Sequence, residues 1–161
     1  MDEYAGKNNL ARMIQMVDEF FDARNDPSQL SVDDEVIQDL KNLHPDTLTE
    51  KATADGPVAW MLIIPTTKEL MERFITKQIN ERELYEMTLT QKNFDVIYLC
   101  SAFVLPEYRR QGLAKDLAIK AVNSIRRNYR IEALFYWAFS EEGKRLAESI
   151  SEELSLPLHK R

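Results

Sequence analysis

The stretch VIYLCSAFV-LPEYRRQG-LAKDLAIKAVNSI, Val96 to Ile125, decides how this chain must fold. Val96–Val104 is apolar on both faces, the pattern of a strand buried in the middle of a sheet. Leu105–Gly112 is a turn rich in bases, with Pro106, Arg109 and Arg110. From Gly112 the apolar period changes to that of a helix. Leu113, Ala114, Leu117, Ala118, Ala121, Val122 and Ile125 form one stripe, opposite Lys115, Asp116, Lys120, Asn123 and Arg126. The first amides of such a helix lack intrahelical acceptors and point outward at the positive end of its dipole. An end of this kind binds phosphate, and Gly112 and Ala114 carry no side chain that would hold a pyrophosphate off the backbone. The plainer alternative is that Gly112 only turns the chain and Ala114 only packs.

Working outward, Ala133–Phe139 (ALFYWAF) reads as a second buried strand, and Ser140 as the cap of a last helix bearing Leu146, Ala147 and Ile150. The C-terminal half is therefore a βαβ unit. Upstream, Thr47–Ala54 and Pro57–Ile64 flank Asp55-Gly56, a hairpin signal. A helical insert separates this hairpin from the central strand. Thr66 with Glu69 is expected to cap its first helix (Leu70, Met71, Phe74, Ile75), and Asn80 with Glu83 a shorter one through Met87. At the start, Lys7–Phe21 is amphipathic, with Leu10, Met13, Ile14, Met16, Val17, Phe20 and Phe21 on one side and a turn at Asn25-Asp26-Pro27 after it. Ser31 with Asp34 reads as the cap of a second helix carrying Val36, Ile37, Leu40 and Leu43. The order predicts a mixed α/β domain, with helices flanking a central mixed sheet.

The chain has 161 residues, 44% apolar and 30% charged, with four Gly and six Pro, which excludes collagen-like and disordered readings. One domain, residues 1–161, is expected from the length. No apolar run approaches the ~18 residues of a membrane span, and the polar, acidic start Met1–Leu10 gives no expectation of a secretory leader. The one cysteine, Cys100, suits a reducing cytoplasm, and with only two His the soft-ligand zinc patterns are excluded, so no metal is expected. Residues 1–60 carry a net charge of −8 and residues 61–161 of +2. Leu105–Arg130 alone is +5, with Arg109, Arg110, Lys115, Lys120, Arg126, Arg127 and Arg130 against Glu107 and Asp116. Such a run asks for an anionic partner or is a solvated helix face. An isoelectric point of 5.1 argues against nucleic acid.

The segment from Val104 resembles the acetyl-CoA signature of the GNAT superfamily of N-acyltransferases, V-x-P-x-x-[RQ]-x-x-G-x-[GA]. Val104, Pro106, Arg109, Gly112 and Ala114 fill every specified position, between a strand and a helix as the pattern requires. The resemblance implies an N-acetyltransferase that moves an acetyl group from acetyl-CoA to a small-molecule or peptide amine, with a homodimer left open. It implies that Arg109, Arg110, Gln111, Gly112, Leu113, Ala114 and Lys115 hold the CoA pyrophosphate. The main chain of Ala102 and Val104 would pair with the pantetheine arm, and the Val104 amide would donate to the thioester oxygen. Ser140 stands where the family usually has an Asn that reaches the pantetheine, though it reads equally as a plain N-cap.

The catalytic positions depart from the pattern. Tyr98 occupies the strand position where some members carry a glutamate base, and it reads as core or pocket wall before catalyst. Ala147 stands where the family's general-acid tyrosine would be. Glu83, Tyr85 and Glu86 on the insert could reach an acceptor, although charged insert residues usually face solvent. Tyr136 and Trp137, on opposite faces of their strand, read as core. Cys100 reads as buried and inert, and His44 as a partnerless loop residue. Only Asp2–Gly6 is available for the family's first strand, and Leu154–Arg161 is too short for its closing hairpin. These gaps keep open a second reading, a CoA-binding or partner-binding module of the same fold that is weakly active or inactive.

Overall fold

The computed structural model describes residues 9–24 and 27–161, with backbone alone for 21–24. The expected short first strand, the helix start at Lys7, the place of Phe21 on its stripe and the turn residues Asn25 and Asp26 lie outside what is described. The elements run α1 (Asn9–Arg24), α2 (Asp34–Leu43), β1 (Leu48–Thr53), β2 (Gly56–Thr66), α3 (Lys68–Ile75), α4 (Glu81–Thr88), β3 (Val96–Val104), α5 (Leu113–Arg126), β4 (Ala133–Tyr136), α6 (Glu141–Leu154) and β5 (Leu158–Lys160). They build a five-stranded sheet in the order β1-β2-β3-β4-β5. β1, β2 and β3 are antiparallel, and β3, β4 and β5 are parallel, with α5 and α6 as the crossovers.

The sheet separates two apolar layers. On one face Leu117, Ala118, Ala121, Val122 and Ile125 of α5, with Ala147 and Ile150 of α6, cover Ala59, Met61, Ile63, Ile97, Leu99, Leu134 and Tyr136. Burying each of the larger aliphatic side chains contributes about 1.5–3 kcal/mol. On the other face α2, α3 and α4 cover Leu62, Ile64, Val96, Tyr98 and Phe135, with Phe74 at the centre. α1 covers the upper end of this second face, where Met13 packs with Val58 and Leu105, and Met16 with Trp60 and Phe103. Its buried line is narrower than the apolar stripe, so Leu10 and Ile14 stay exposed at 42% and 46%.

Several local expectations shift. The α2 cap is Asp33, which accepts from Val36 N at 2.9 Å, rather than Ser31. Thr67, rather than Thr66, caps α3, because Thr66 is the last residue of β2 and its buried hydroxyl bonds that of Thr88 at 2.7 Å. The Asn80–Glu83 capping box forms as expected. The hairpin loop is Ala54-Asp55, and Gly56 opens β2 with φ +114°. A side chain there would meet Asn9 N at 3.3 Å, the amide that donates to Asp55 O. The second buried strand stops at Tyr136, leaving Trp137-Ala138-Phe139 outside it. The C-terminal residues form a closing strand after all, but a parallel one: β5 pairs with β4 from Leu134↔Leu158 to Tyr136↔Lys160. His44 is 7% exposed and well bonded. Its Nδ1 accepts from Asp46 N, and its Nε2 lies 3.0 Å from Asn128 Oδ1. Cys100 is half-buried rather than buried.

Candidate active site

β3 outruns its parallel partner. It pairs with β4 only from Val96↔Ala133 to Leu99↔Tyr136, while its pairing with β2 continues to Val104. The two strands part where β3 bulges: Leu62 faces Ser101 and Ile63 faces Leu99, so Cys100 is the extra residue. Beyond the bulge, Leu105 N donates to Val58 O on β2 at 2.9 Å. Main-chain groups alternate sides along a strand, so those of Ala102 and Val104 point away from β2, into the gap left by β4. The Val104 carbonyl there accepts from Arg109 Nε at 3.1 Å. Val104 therefore offers the gap its N–H.

The chain leaves β3 through a single 3₁₀ turn, Pro106–Tyr108, and then passes two left-handed residues, Arg110 at φ +64° and Gly112 at φ +76°. Gly112 is the N-cap of α5 and has no side chain to accept from the helix. Asp33, Thr67, Asn80 and Ser140 supply such an acceptor to α2, α3, α4 and α6. The amides of Leu113, Ala114 and Lys115 thus face outward at the positive end of a helix of 14 residues. A Cβ at Gly112 would meet nothing within 4 Å, so there is open space beside the glycine itself. The two left-handed residues, with one residue between them, curl the turn, and turns of this kind can gather N–H groups around an anion.

Side chains brace this turn from outside. Arg12 of α1 donates to both Glu107 carboxylate oxygens, at 2.5 and 2.8 Å. That hydrogen bond, more than anything else, holds the Glu107 carboxyl below its ordinary pKa. Arg109 reaches back to β3 and to Met16 Sδ, so it ties the turn down rather than pointing out. Gln111 Nε2 donates to Glu107 O at 3.4 Å. Lys115 Nζ lies 3.5 Å from Glu153 on α6. Arg110 is exposed.

The sequence model of the acetyltransferase (GNAT) family matches residues 18–148. The chain belongs to that family. GNAT members are acetyl-CoA-dependent acetyltransferases. The chain is similar in fold to Naa20 of Chaetomium thermophilum, solved with a bisubstrate analogue, at 13% identity and TM-score 0.51. The likeness covers 94% of this chain and 64% of that one, so the chain spans less than two thirds of that relative's length. It also matches meta-AAC0020, an aminoglycoside acetyltransferase from an uncultured soil metagenomic sample, at 18% identity and TM-score 0.46, over 91% of this chain and 82% of that one. No curated protein matches the chain.

Most of the other candidate residues are held by contacts within the fold. Tyr98 is fully buried, stacked on Phe135 with ring centres 5.0 Å apart. Its hydroxyl donates to Glu81 Oε2 at 2.6 Å, and Glu81 Oε1 accepts from Leu30 N at 2.7 Å. Glu81, only 3% exposed, did not stand out in the sequence because it looks like another acid in a helix's first turn. Glu83 is exposed and spends its carboxylate on Asn80 N. Tyr85 donates to Asp39 Oδ2 at 2.6 Å, and burial first, then that bond, raises its pKa. Glu86 pairs with Arg82 in solvent. Ala147 is buried, Tyr136 lies in the α5 layer, and Trp137 packs against the opposite one. Ser140 Oγ accepts from Gly143 N at 3.0 Å. The basic run is split by α5, which is about 20 Å long. Arg109, Arg110 and Lys115 sit at its start, while Arg126, Arg127 and Arg130 line a shallow hollow at its far end. Among the described residues no group of His, Cys, Asp or Glu could hold a metal, and no helix is long and apolar enough to cross a membrane.

Proposed function

We propose that residues 1–161 act as one domain that binds acetyl-CoA and transfers its acetyl group to a primary amine. The observation that carries this reading is the uncapped, left-handed Gly112 opening α5 at the end of a strand that has lost its neighbour. The amides of Gly112–Lys115 receive the pyrophosphate, with Arg110 free to reach its outer oxygens. The pantetheine runs along β3 as an added strand, and the Val104 N–H donates to the thioester oxygen, where negative charge grows during attack. The Ser140 hydroxyl, whose oxygen caps α6, keeps its hydrogen to donate to the arm. Micromolar binding, about 8 kcal/mol, raises the melting temperature of the protein by about 5–10 °C at a hundredfold excess over Kd. An unmoved thermal transition at saturating acetyl-CoA would refute the reading.

Catalysis then rests on proximity. Tyr98 is sealed in the core with its proton committed to Glu81, and Glu83 is committed to its cap. An amine of pKa near ~10.4 is mostly protonated at neutral pH, so the rate should climb steadily with pH as free amine accumulates. Tyr98→Phe is expected to lower kcat by less than ~10-fold, below the ~10²–10⁴ of a lost acid–base group. A pH–rate profile of both proteins, taken well below their melting points, checks this. A loss above a hundredfold, with a limb that moves on mutation, would make Tyr98 catalytic. The buried Ala147 at the general-acid position favours a second reading, a CoA-binding module without turnover. Release of CoA in the presence of an amine panel separates the two.

A further inference from the structure

Arg161 continues the last strand pairing by one residue, its backbone N–H donating to Tyr136 O at 3.0 Å. Since Lys160 pairs with Tyr136, Arg161 stands at the level of Trp137, where β3 and β4 have just parted. Its guanidinium carbon lies 4.4 Å from the ring centre of Phe74 and 4.5 Å from that of Trp137. These rings meet nearly at right angles, 81°, so the cation sits in the corner they form. Aromatic faces stabilise the flat sides of a guanidinium, but its N–H edge still needs acceptors. Nη1 is buried and has none. A buried charged donor without an acceptor is rare in folded proteins and calls for a ligand or a role.

A second buried polar atom without a partner, Ser101 Oγ, lies on the same face. Ser101 stands opposite Leu62, and Leu62 packs in the layer that holds Phe74 and Trp137. The bulge at Cys100 puts it there, immediately past the end of the β3–β4 ladder. This face is opposite the one carrying α5 and α6, which hold the Gly112 turn and the Ser140 cap. With the pyrophosphate on the Gly112 turn and the arm reached by Ser140, as proposed above, acetyl-CoA is held from the α5 and α6 side, which leaves the side of Arg161 for the acceptor.

We infer that Arg161, with Ser101, binds a carboxylate of the acyl acceptor, so that the acceptor is an amine bearing a nearby carboxylate, an α-amino acid. One carboxylate oxygen would accept from Nη1 and the other from Ser101 Oγ, satisfying both atoms. A fixed cation at this place disfavours polyamines. The uncharged amine attacks the thioester carbon, the C–S bond breaks as the C–N bond forms, and the amine's proton ends on the departing thiolate. The products are an N-acetyl amino acid and CoA, with the carboxylate unchanged.

The inference rests on the acetyl-CoA reading, and the experiment separates them. CoA release is measured with the common α-amino acids and their α-amides, using the parent protein, Arg161→Met and Arg161→Lys, with the acetyl-CoA melting shift recorded for each. The parent should favour its best acid over the matching amide by about 10- to 100-fold in kcat/KM, as expected for a hydrogen bond to a charged group. Arg161→Met should bring that ratio close to one, and Arg161→Lys should keep part of it, since a point charge replaces the planar fork. Equal turnover of acid and amide by the parent, no turnover of any acid, or a preference that survives Arg161→Met would each overturn the inference. The melting shift of the parent then tells whether acetyl-CoA binding falls with it.

Discussion

Gly112→Glu is expected to abolish acetyl-CoA binding while leaving the fold in place. The position is left-handed at φ +76°, so any side chain costs about 1–2 kcal/mol of backbone strain. A domain typically has about 5–15 kcal/mol to lose, and a Cβ there meets no neighbour. The carboxylate itself is the damaging part. It would lie beside the outward amides of α5 and compete for them with the pyrophosphate, adding like-charge repulsion to the blockage. Calorimetric titration should find binding weakened more than ~1,000-fold, or about 4 kcal/mol, with a circular dichroism spectrum like that of the parent. Gly112→Ala, which brings the strain without the charge, should bind far better than Gly112→Glu. Parent-like affinity in Gly112→Glu would mean that the phosphates are held elsewhere.

Glu81→Leu should have a large effect on stability. It removes a carboxylate that accepts from two buried donors, the Tyr98 hydroxyl and the Leu30 amide. Each donor left unmatched costs about 1–3 kcal/mol, so about 2–6 kcal/mol together. The double variant Glu81→Leu, Tyr98→Phe deletes one of those donors and should be more stable than Glu81→Leu alone, a coupling that a double-mutant cycle measures by urea unfolding. A Glu81→Leu protein within ~0.5 kcal/mol of the parent would contradict the buried-carboxylate account.

The central strand and α5 were legible because burial repeats at fixed intervals there, and Gly112 because a helix start after a strand has few alternatives. Caps were misplaced by one or two residues where several candidates crowd together, at Ser31–Asp34 and Thr66-Thr67. Burial decided between them: Thr66 is inside, bonded to Thr88, so Thr67 is left to cap. β5 has one apolar residue in three, and its extended form comes from pairing with β4, which no local pattern records. The end of β4 at Tyr136 was hidden for a related reason. ALFYWAF stays apolar to Phe139, but the β3 bulge breaks the ladder first. Ties between elements cross long separations: Arg12 to Glu107, Glu81 to Tyr98, and Arg161 to Phe74. Single residues at such distances leave no period to read.

The strands lie in the sheet in their order along the chain, and β5 is the last of the five to be synthesised. A growing polypeptide can close the β1–β2 hairpin locally and early, whereas the parallel pairings wait for their crossover helices. Three residues long and at the margin, β5 is also the strand that reopens at least cost in the finished protein. Each such opening lifts Arg161 out of the corner between Phe74 and Trp137 while the Gly112 turn, two strands away in assembly, stays built. The amide of Arg161 should therefore exchange its hydrogen with solvent well before those of β3, and a ligand bridging Arg161 and Ser101 would slow that exchange by holding the last strand closed.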